Sequence, residues 1–132
     1  MENCNLVFVY GTLKSGHGNN KLLSTSKLIG SRLTKDKFVL LEAGCPFLVP
    51  EIVCPADLQD TARQVRGELW RIPEDGTLED LDRLEGEGYL YHRRYILTDK
   101  NELCWSYVVI TPRIFTSASY STLNSKGEWQ WP

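Results

Sequence analysis

The chain has 132 residues, 42% of them apolar and 24% charged, which excludes a disordered or fibrous protein and predicts one globular domain, residues 1–132, with a single ordinary core. Fifteen Lys and Arg against 17 Asp and Glu leave a net charge of −2, which gives no electrostatic reason to expect nucleic acid or an anionic membrane as the main partner.

Leu6-Val7-Phe8-Val9-Tyr10 is β-branched and aromatic and reads as a buried strand that stops at Gly11. The glycines and asparagine of 11–19 predict a loop, and Asn19-Asn20 is the expected cap of a short helix containing Leu22 and Leu23. Leu28 to Lys35 reads as extended and Phe38–Leu41 as a strand, with Gly44, Pro46 and Pro50 as punctuation after it. Val65–Ile72 alternates as a half-buried strand does, and Pro73–Gly76 turns the chain into a helix with Thr77 as N-cap. Leu78, Leu81 and Leu84 recur every third position and are expected to face the core, with Glu85 next to them and Gly86 and Gly88 ending the helix. Tyr95–Thr98 and Cys104–Ile110 predict a hairpin closed by Asp99–Glu102, and the aromatic tail ending in Gly127-Glu128-Trp129 predicts a docked terminus. These elements describe an α+β protein, mostly strand, built as a sheet or barrel.

Cysteines 4, 45, 54 and 104 form no Cys-x-x-Cys pair and are expected as free thiols, while two histidines, His17 and His92, are too few for a multi-histidine metal site. No run approaches the ~20 apolar residues that span a bilayer, and Met1–Asn5 lacks the basic start of a secretory signal, so the expected location is the cytoplasm.

Two segments carry chemistry. A strand that breaks into Gly11-Thr12-Leu13-Lys14-Ser15-Gly16 can aim backbone N–H groups at an anion, or it is an ordinary glycine turn; its spacing fits neither a Walker A loop nor a dinucleotide fingerprint. Thr12 adds a hydroxyl, and Lys14 is expected to be solvated. Glu85, beside an apolar helix face and ahead of Tyr89, Tyr91, His92 and Arg93, is placed where desolvation raises a carboxyl toward neutral pH, as proton transfer requires. Its rivals are Glu87 between two glycines and His92, which alternation turns away from Tyr91 and Arg93. No pattern couples Cys45 to a histidine as a nucleophile. Trp70, Trp105, Trp129 and Trp131 read as packing, whereas Tyr91 and Tyr107 can bury a ring and offer a hydroxyl to a ligand.

With these residues in view, the chain resembles the γ-glutamylcyclotransferase-like superfamily, most closely its γ-glutamylamine cyclotransferase or AIG2-like branch. Val7-Phe8-Val9-Tyr10-Gly11-Thr12-Leu13-Lys14 resembles the family's substrate loop, and Leu81-Asp82-Arg83-Leu84-Glu85-Gly86 followed by Tyr91 and Arg93 resembles its catalytic stretch. Gly67-Glu68-Leu69-Trp70 and Gly127-Glu128-Trp129 are similar to two further family motifs. The resemblance implies a small mixed β-barrel with flanking short helices and a cofactor-free, metal-free enzyme that closes a γ-glutamyl group into 5-oxoproline and releases an amine. It implies Glu85 as the acid/base, Tyr10, Gly11, Thr12 and Leu13 as the substrate loop, and Tyr91 and Tyr107 as pocket lining. The expected partner is a small γ-glutamyl substrate, without nucleic acid or membrane, bound by a monomer or weak homodimer. Many relatives carry proline where this chain has Gly88, a departure on the leaving-group side. A binding module that holds a small anionic or amino-acid-like ligand without converting it, and a phosphate-directed enzyme, are the alternatives.

Overall fold

A computed structural model describes residues 5–74, 76–85, 91–111 and 114–132. Leu6–Val9 forms β1, and Val7, Phe8 and Val9 are all buried because this strand lies at the centre of a sheet covered on both faces. The remaining strands are β2 (Lys27–Leu33), β3 (Phe38–Glu42), β4 (Pro46–Pro50), β5 (Arg66–Arg71), β6 (Tyr91–Leu97), β7 (Leu103–Val109) and β8 (Ser119–Tyr120). Helix α1 spans Thr77–Glu85 and α2 Ile114–Ser117, and 3-10 turns cover Gly18–Leu23, Glu51–Val53 and Ala56–Thr61.

The larger sheet has the order β2-β5-β1-β7-β6, antiparallel except for the parallel pair β1 and β7. Five antiparallel residue pairs, Phe38↔Pro50 to Glu42↔Pro46, join β3 and β4, and β8 adds to the other side of β3. The mixed α+β class is as expected, but the strands form two open sheets rather than a closed barrel. The edges of the larger sheet meet at the ends of β2 and β6, where Thr34 bridges Thr98 and the amides of Lys35 and Asp99 donate to the carbonyls of Leu97 and Leu33. Both threonines are fully buried, and their hydroxyls are used: Thr34 Oγ1 donates to the Asp36 carbonyl at 2.8 Å and accepts from Val65 N–H at 3.0 Å.

The 91–97 and 103–109 pair forms the expected hairpin, beginning at Tyr91 rather than Tyr95. Segment 46–50 is a strand although proline stands at both ends, because β4 is an edge strand and its ends can do without a ladder donor. Thr77 is the first helical residue rather than the cap, since the Gly76 carbonyl already accepts from Asp80 N–H. In α1, Leu81 is fully buried, Leu78 is partly buried, and Leu84 is 41% exposed rather than in the core. The expected helix stop at Gly86 and Gly88, together with Glu87, Tyr89 and Cys4, lies outside the described residues.

Gly67 shows why a strand facing β1 needs glycine. A Cβ there would stand 2.5 Å from the Val9 carbonyl oxygen and 2.6 Å from the Phe8 ring, so β5 could not approach β1 at this register.

Candidate active site

One end of the larger sheet gathers the site. The chain leaving β1 at Tyr10, the Tyr107 stretch of β7 and the Tyr91 start of β6 meet there, because β6 runs antiparallel to β7 and pairs Tyr91 with Val109. The last turn of α1 and the Cys45-Pro46 entry to β4 complete a cavity of about 200 Å³. All seven residues singled out in the sequence line it: Glu85, Tyr10, Gly11, Thr12, Leu13, Tyr91 and Tyr107. His92 does not line it, consistent with its opposite phase along β6.

The loop after β1 is held from behind by groups that sequence reasoning missed or misplaced. Asn19 and Asn20 do not cap a helix from outside; they lie within the 3-10 turn and reach back to the loop. Asn19 Nδ2 donates to Thr12 Oγ1 at 2.9 Å, and Asn20 Nδ2 donates to the Leu13 carbonyl at 2.8 Å. Glu68 Oε1 accepts from Ser15 N–H at 2.8 Å and from the Trp70 indole at 3.1 Å, which gives the Gly67-Glu68 motif a structural role. Lys14 is buried, not solvated: its Nζ donates to the Trp131 carbonyl, because the C-terminal segment folds over the loop and His17 packs on the Trp131 ring. Desolvation lowers the Lys14 pKa, opposed by the charge of Glu68. Gly11 is required by close approach, since a Cβ would collide with the Pro46 ring.

This scaffold leaves donors uncommitted. Among the described residues none accepts from the amide N–H of Gly11, Thr12 or Leu13. Three consecutive amides on a cavity-lining turn are a ready receptor for a carboxylate or an oxyanion.

Among the other polar groups of the cavity are a carboxyl and two phenols. Burial pushes the Glu85 carboxyl from the ordinary 4.5 up to about 7, so both of its protonation states are populated at neutral pH. The Tyr91 hydroxyl donates to the Pro46 carbonyl at 2.8 Å, and the Tyr107 hydroxyl donates to Asp82 Oδ1 at 2.6 Å. Each phenol has one proton, so what these two can offer a ligand is lone pairs. Tyr10 is a pin: its hydroxyl donates to the Tyr107 carbonyl at 2.6 Å and lies against the Leu48 amide. Burial raises all three phenol pKa values and keeps them protonated, and the nearby charge of Glu85 pushes each in the same direction. Cys45 Sγ lies 3.8 Å from the Tyr91 hydroxyl. No cluster of three metal-ligating side chains occurs among the described residues.

A cavity with amide donors on one lining segment and a neutral-range carboxyl with phenol oxygens on others suits a small ligand carrying both an anionic and an ammonium group. In comparison with known proteins, the profile described as γ-glutamyl cyclotransferase, AIG2-like, matches residues 7–130. The chain belongs to that family. A Vibrio cholerae relative that carries γ-glutamylcyclotransferase as a provisional name is 35% identical over 103 residues, covering 78% of this chain and 80% of the relative. The Escherichia coli K12 γ-glutamylcyclotransferase family protein YtfP is 32% identical over 107 residues, covering 80% and 83%. The solution structure of E. coli ytfP superposes with a TM-score of 0.65 at 27% identity over 96% of this chain and 95% of that one. A crystal structure of a mouse AIG2-like protein shares the fold, with a TM-score of 0.70 at 24% identity over 99% and 97%.

Proposed function

We propose that the protein is a γ-glutamyl cyclotransferase that converts a γ-glutamylamine or γ-glutamyl amino acid to 5-oxoproline and a free amine, with Glu85 as the acid/base. The observation that carries this reading is one small cavity lined both by a carboxyl near pKa 7 and by Gly11, Thr12 and Leu13, whose amides have no acceptor among the described residues. At about 200 Å³ it lies below the ~300–1,000 Å³ of drug-sized pockets and suits a folded glutamyl arm.

The chemistry follows from what amide cleavage needs. The substrate's α-ammonium has no lone pair, so the Glu85 carboxylate removes a proton from it at hydrogen-bond distance, roughly 2.6–3.2 Å. The freed amine attacks the γ-carbonyl carbon, forming the five-membered ring's C–N bond and moving an electron pair onto oxygen. Glu85 then returns its proton to the departing nitrogen as the oxyanion's electron pair re-forms the carbonyl and the original C–N bond breaks, and the ring nitrogen's second proton passes to the released amine, which leaves as an ammonium. The amides of Gly11, Thr12 and Leu13 hold the α-carboxylate, the oxyanion or both, and one well-placed donor to an oxyanion is worth about 3–4 kcal/mol. Holding the arm folded supplies the rest, because nucleophile and electrophile belong to one molecule.

The test is incubation of the protein with γ-glutamyl-ε-lysine, γ-glutamyl-alanine and glutathione in parallel, following 5-oxoproline by mass spectrometry. Release from at least one, with a stoichiometric free amine, is the expected result. Tight binding with full recovery of intact substrate would replace the enzyme with a binding module.

A further inference from the structure

Helix α1 has little apolar anchorage where it carries Glu85. Leu81 is the last fully buried residue of the helix; Arg83 is exposed and Leu84 is 41% exposed. What fastens this turn is Asp82, one turn before Glu85. Its Oδ1 accepts from the Tyr107 hydroxyl of β7 at 2.6 Å, and its Oδ2 accepts from Arg93 Nη1 of β6 at 2.9 Å. The guanidinium is itself fixed, lying 4.5 Å over the Trp105 ring, which stacks on Tyr95 at 3.7 Å between centroids. A short charge-assisted O–H···O⁻ bond and an ion pair on one carboxylate form a stiff link between helix and sheet.

We propose that Asp82 is a positioning residue for Glu85: by tying α1 to Tyr107 and Arg93, it holds the last helical turn down on the cavity and fixes the direction in which Tyr107 presents its hydroxyl oxygen. Because the Tyr107 proton is committed to Asp82, the oxygen can only accept, which suits the ammonium of an amino-acid-like substrate. The functional meaning of this link rests on the cyclotransferase reading; the link itself does not.

Glu85 is faced by Tyr10 after β1, Tyr91 of β6, Tyr107 of β7 and Cys45 before β4. Its own helix adds Asp82 and the exposed Arg83, and the neighbouring 3-10 turn adds the exposed Lys21. None of these but Asp82 and Tyr107 joins the helix end to the sheet by a described hydrogen bond. Loosening that bond admits water to Glu85 and lets its titration fall toward the ordinary carboxylate range.

The experiment follows the Glu85 carboxyl by ¹³C NMR in glutamate-labelled full-length protein, with the resonance assigned by its loss in Glu85→Gln, for the unaltered protein, Tyr107→Phe, Asp82→Asn and the double variant. The expected result is a titration midpoint lowered by about one pH unit in both single variants and little further in the double, since Tyr107→Phe removes the donor of this bond and Asp82→Asn removes the charge that strengthens it and holds Arg93, so both weaken one link. In parallel, kcat falls about tenfold in each, not additively, with KM within threefold in Asp82→Asn and raised further in Tyr107→Phe, which also removes the oxygen offered to the substrate ammonium. A midpoint unchanged in Tyr107→Phe overturns the proposal, even if Asp82→Asn lowers it, because loss of a nearby negative charge alone would do that. Tyr107→Phe removes one oxygen and keeps the ring, so it carries the test if Asp82→Asn does not fold. If the unaltered protein forms no 5-oxoproline, the cyclotransferase reading fails while the titration still decides the role of Asp82.

Discussion

At the scale of single residues, Glu85 combines exposure to a cavity with a desolvated carboxyl, and each property has a measurable sign. As a base it must be ionised, so kcat/KM is expected to fall as pH drops through about 7, and a pH–rate profile reads the midpoint directly. A flat profile down to pH 5 would remove Glu85 from the reaction. The same burial has a cost in stability. With a folded pKa near 7 against an ordinary 4.5, the folded protein binds the extra proton, so the Glu85 contribution to stability is neutral below about pH 4.5 and increasingly unfavourable up to about pH 7. Glu85→Gln is therefore expected to be more stable than the unaltered protein at pH 8, by on the order of 1–3 kcal/mol, and equal to it at pH 4. Urea unfolding at the two pH values checks this. The desolvation of Glu85 was readable from its place after Leu78, Leu81 and Leu84 and ahead of Tyr91, although only Leu81 of that spacing is fully buried. The burial of Lys14 was not readable, because nothing local to residues 11–16 reveals that the backbone of Trp131, 117 residues away, will cover it.

At the scale of elements, the loop after β1 is a shaped receptor only because three other segments hold it. Asn19 and Asn20 reach it from the 3-10 turn, Glu68 from β5, and Trp131 from the C-terminal segment. Glu68→Ala removes the acceptor of Ser15 N–H and of the Trp70 indole, and is expected to raise KM about tenfold with a smaller change in kcat, together with a loss of about 1–2 kcal/mol in stability. Steady-state kinetics beside thermal unfolding separate the two effects; a lowered kcat at constant KM would contradict this role. The strand and glycine turn were readable from residues 6–16 alone, as was the hairpin from the turn chemistry of 99–102, although its first strand begins at Tyr91, four residues before the expected Tyr95. The backing of the loop was not, since Asn19 and Asn20 follow glycines and read equally well as a helix cap. Strand β4 was hidden for another reason: Pro46 and Pro50 signal breaks in sequence, and only an edge position makes them compatible with pairing.

For the whole molecule, the pairing of β1 with β7 and of β7 with β6, together with the Asp82 link from α1, brings helix α1, β7 and the loop after β1 to one cavity. The two edges of the larger sheet meet around the Thr34–Thr98 bridge, and neither threonine lines the cavity. Thr34→Val leaves the buried Val65 N–H without the acceptor it now has, and is expected to lower stability by about 1–3 kcal/mol while leaving kcat unchanged. Calorimetry and turnover on the same preparation test both halves of that statement. The α+β class was legible from the alternation of 65–72 and 103–109 and the leucine spacing of 77–85. Whether the sheet closes was not, because closure depends on curl and edge register, which no local pattern specifies. Family membership rests on the profile match over residues 7–130, and the cavity gives that membership a chemical reading.

The most direct measurement is 5-oxoproline release from a γ-glutamylamine by the unaltered protein and by folded Glu85→Gln, side by side. The account predicts turnover by the first and a loss of at least a hundredfold in the second, consistent with removal of an acid/base worth about 10²–10⁴ in rate. Undiminished release by Glu85→Gln would contradict it.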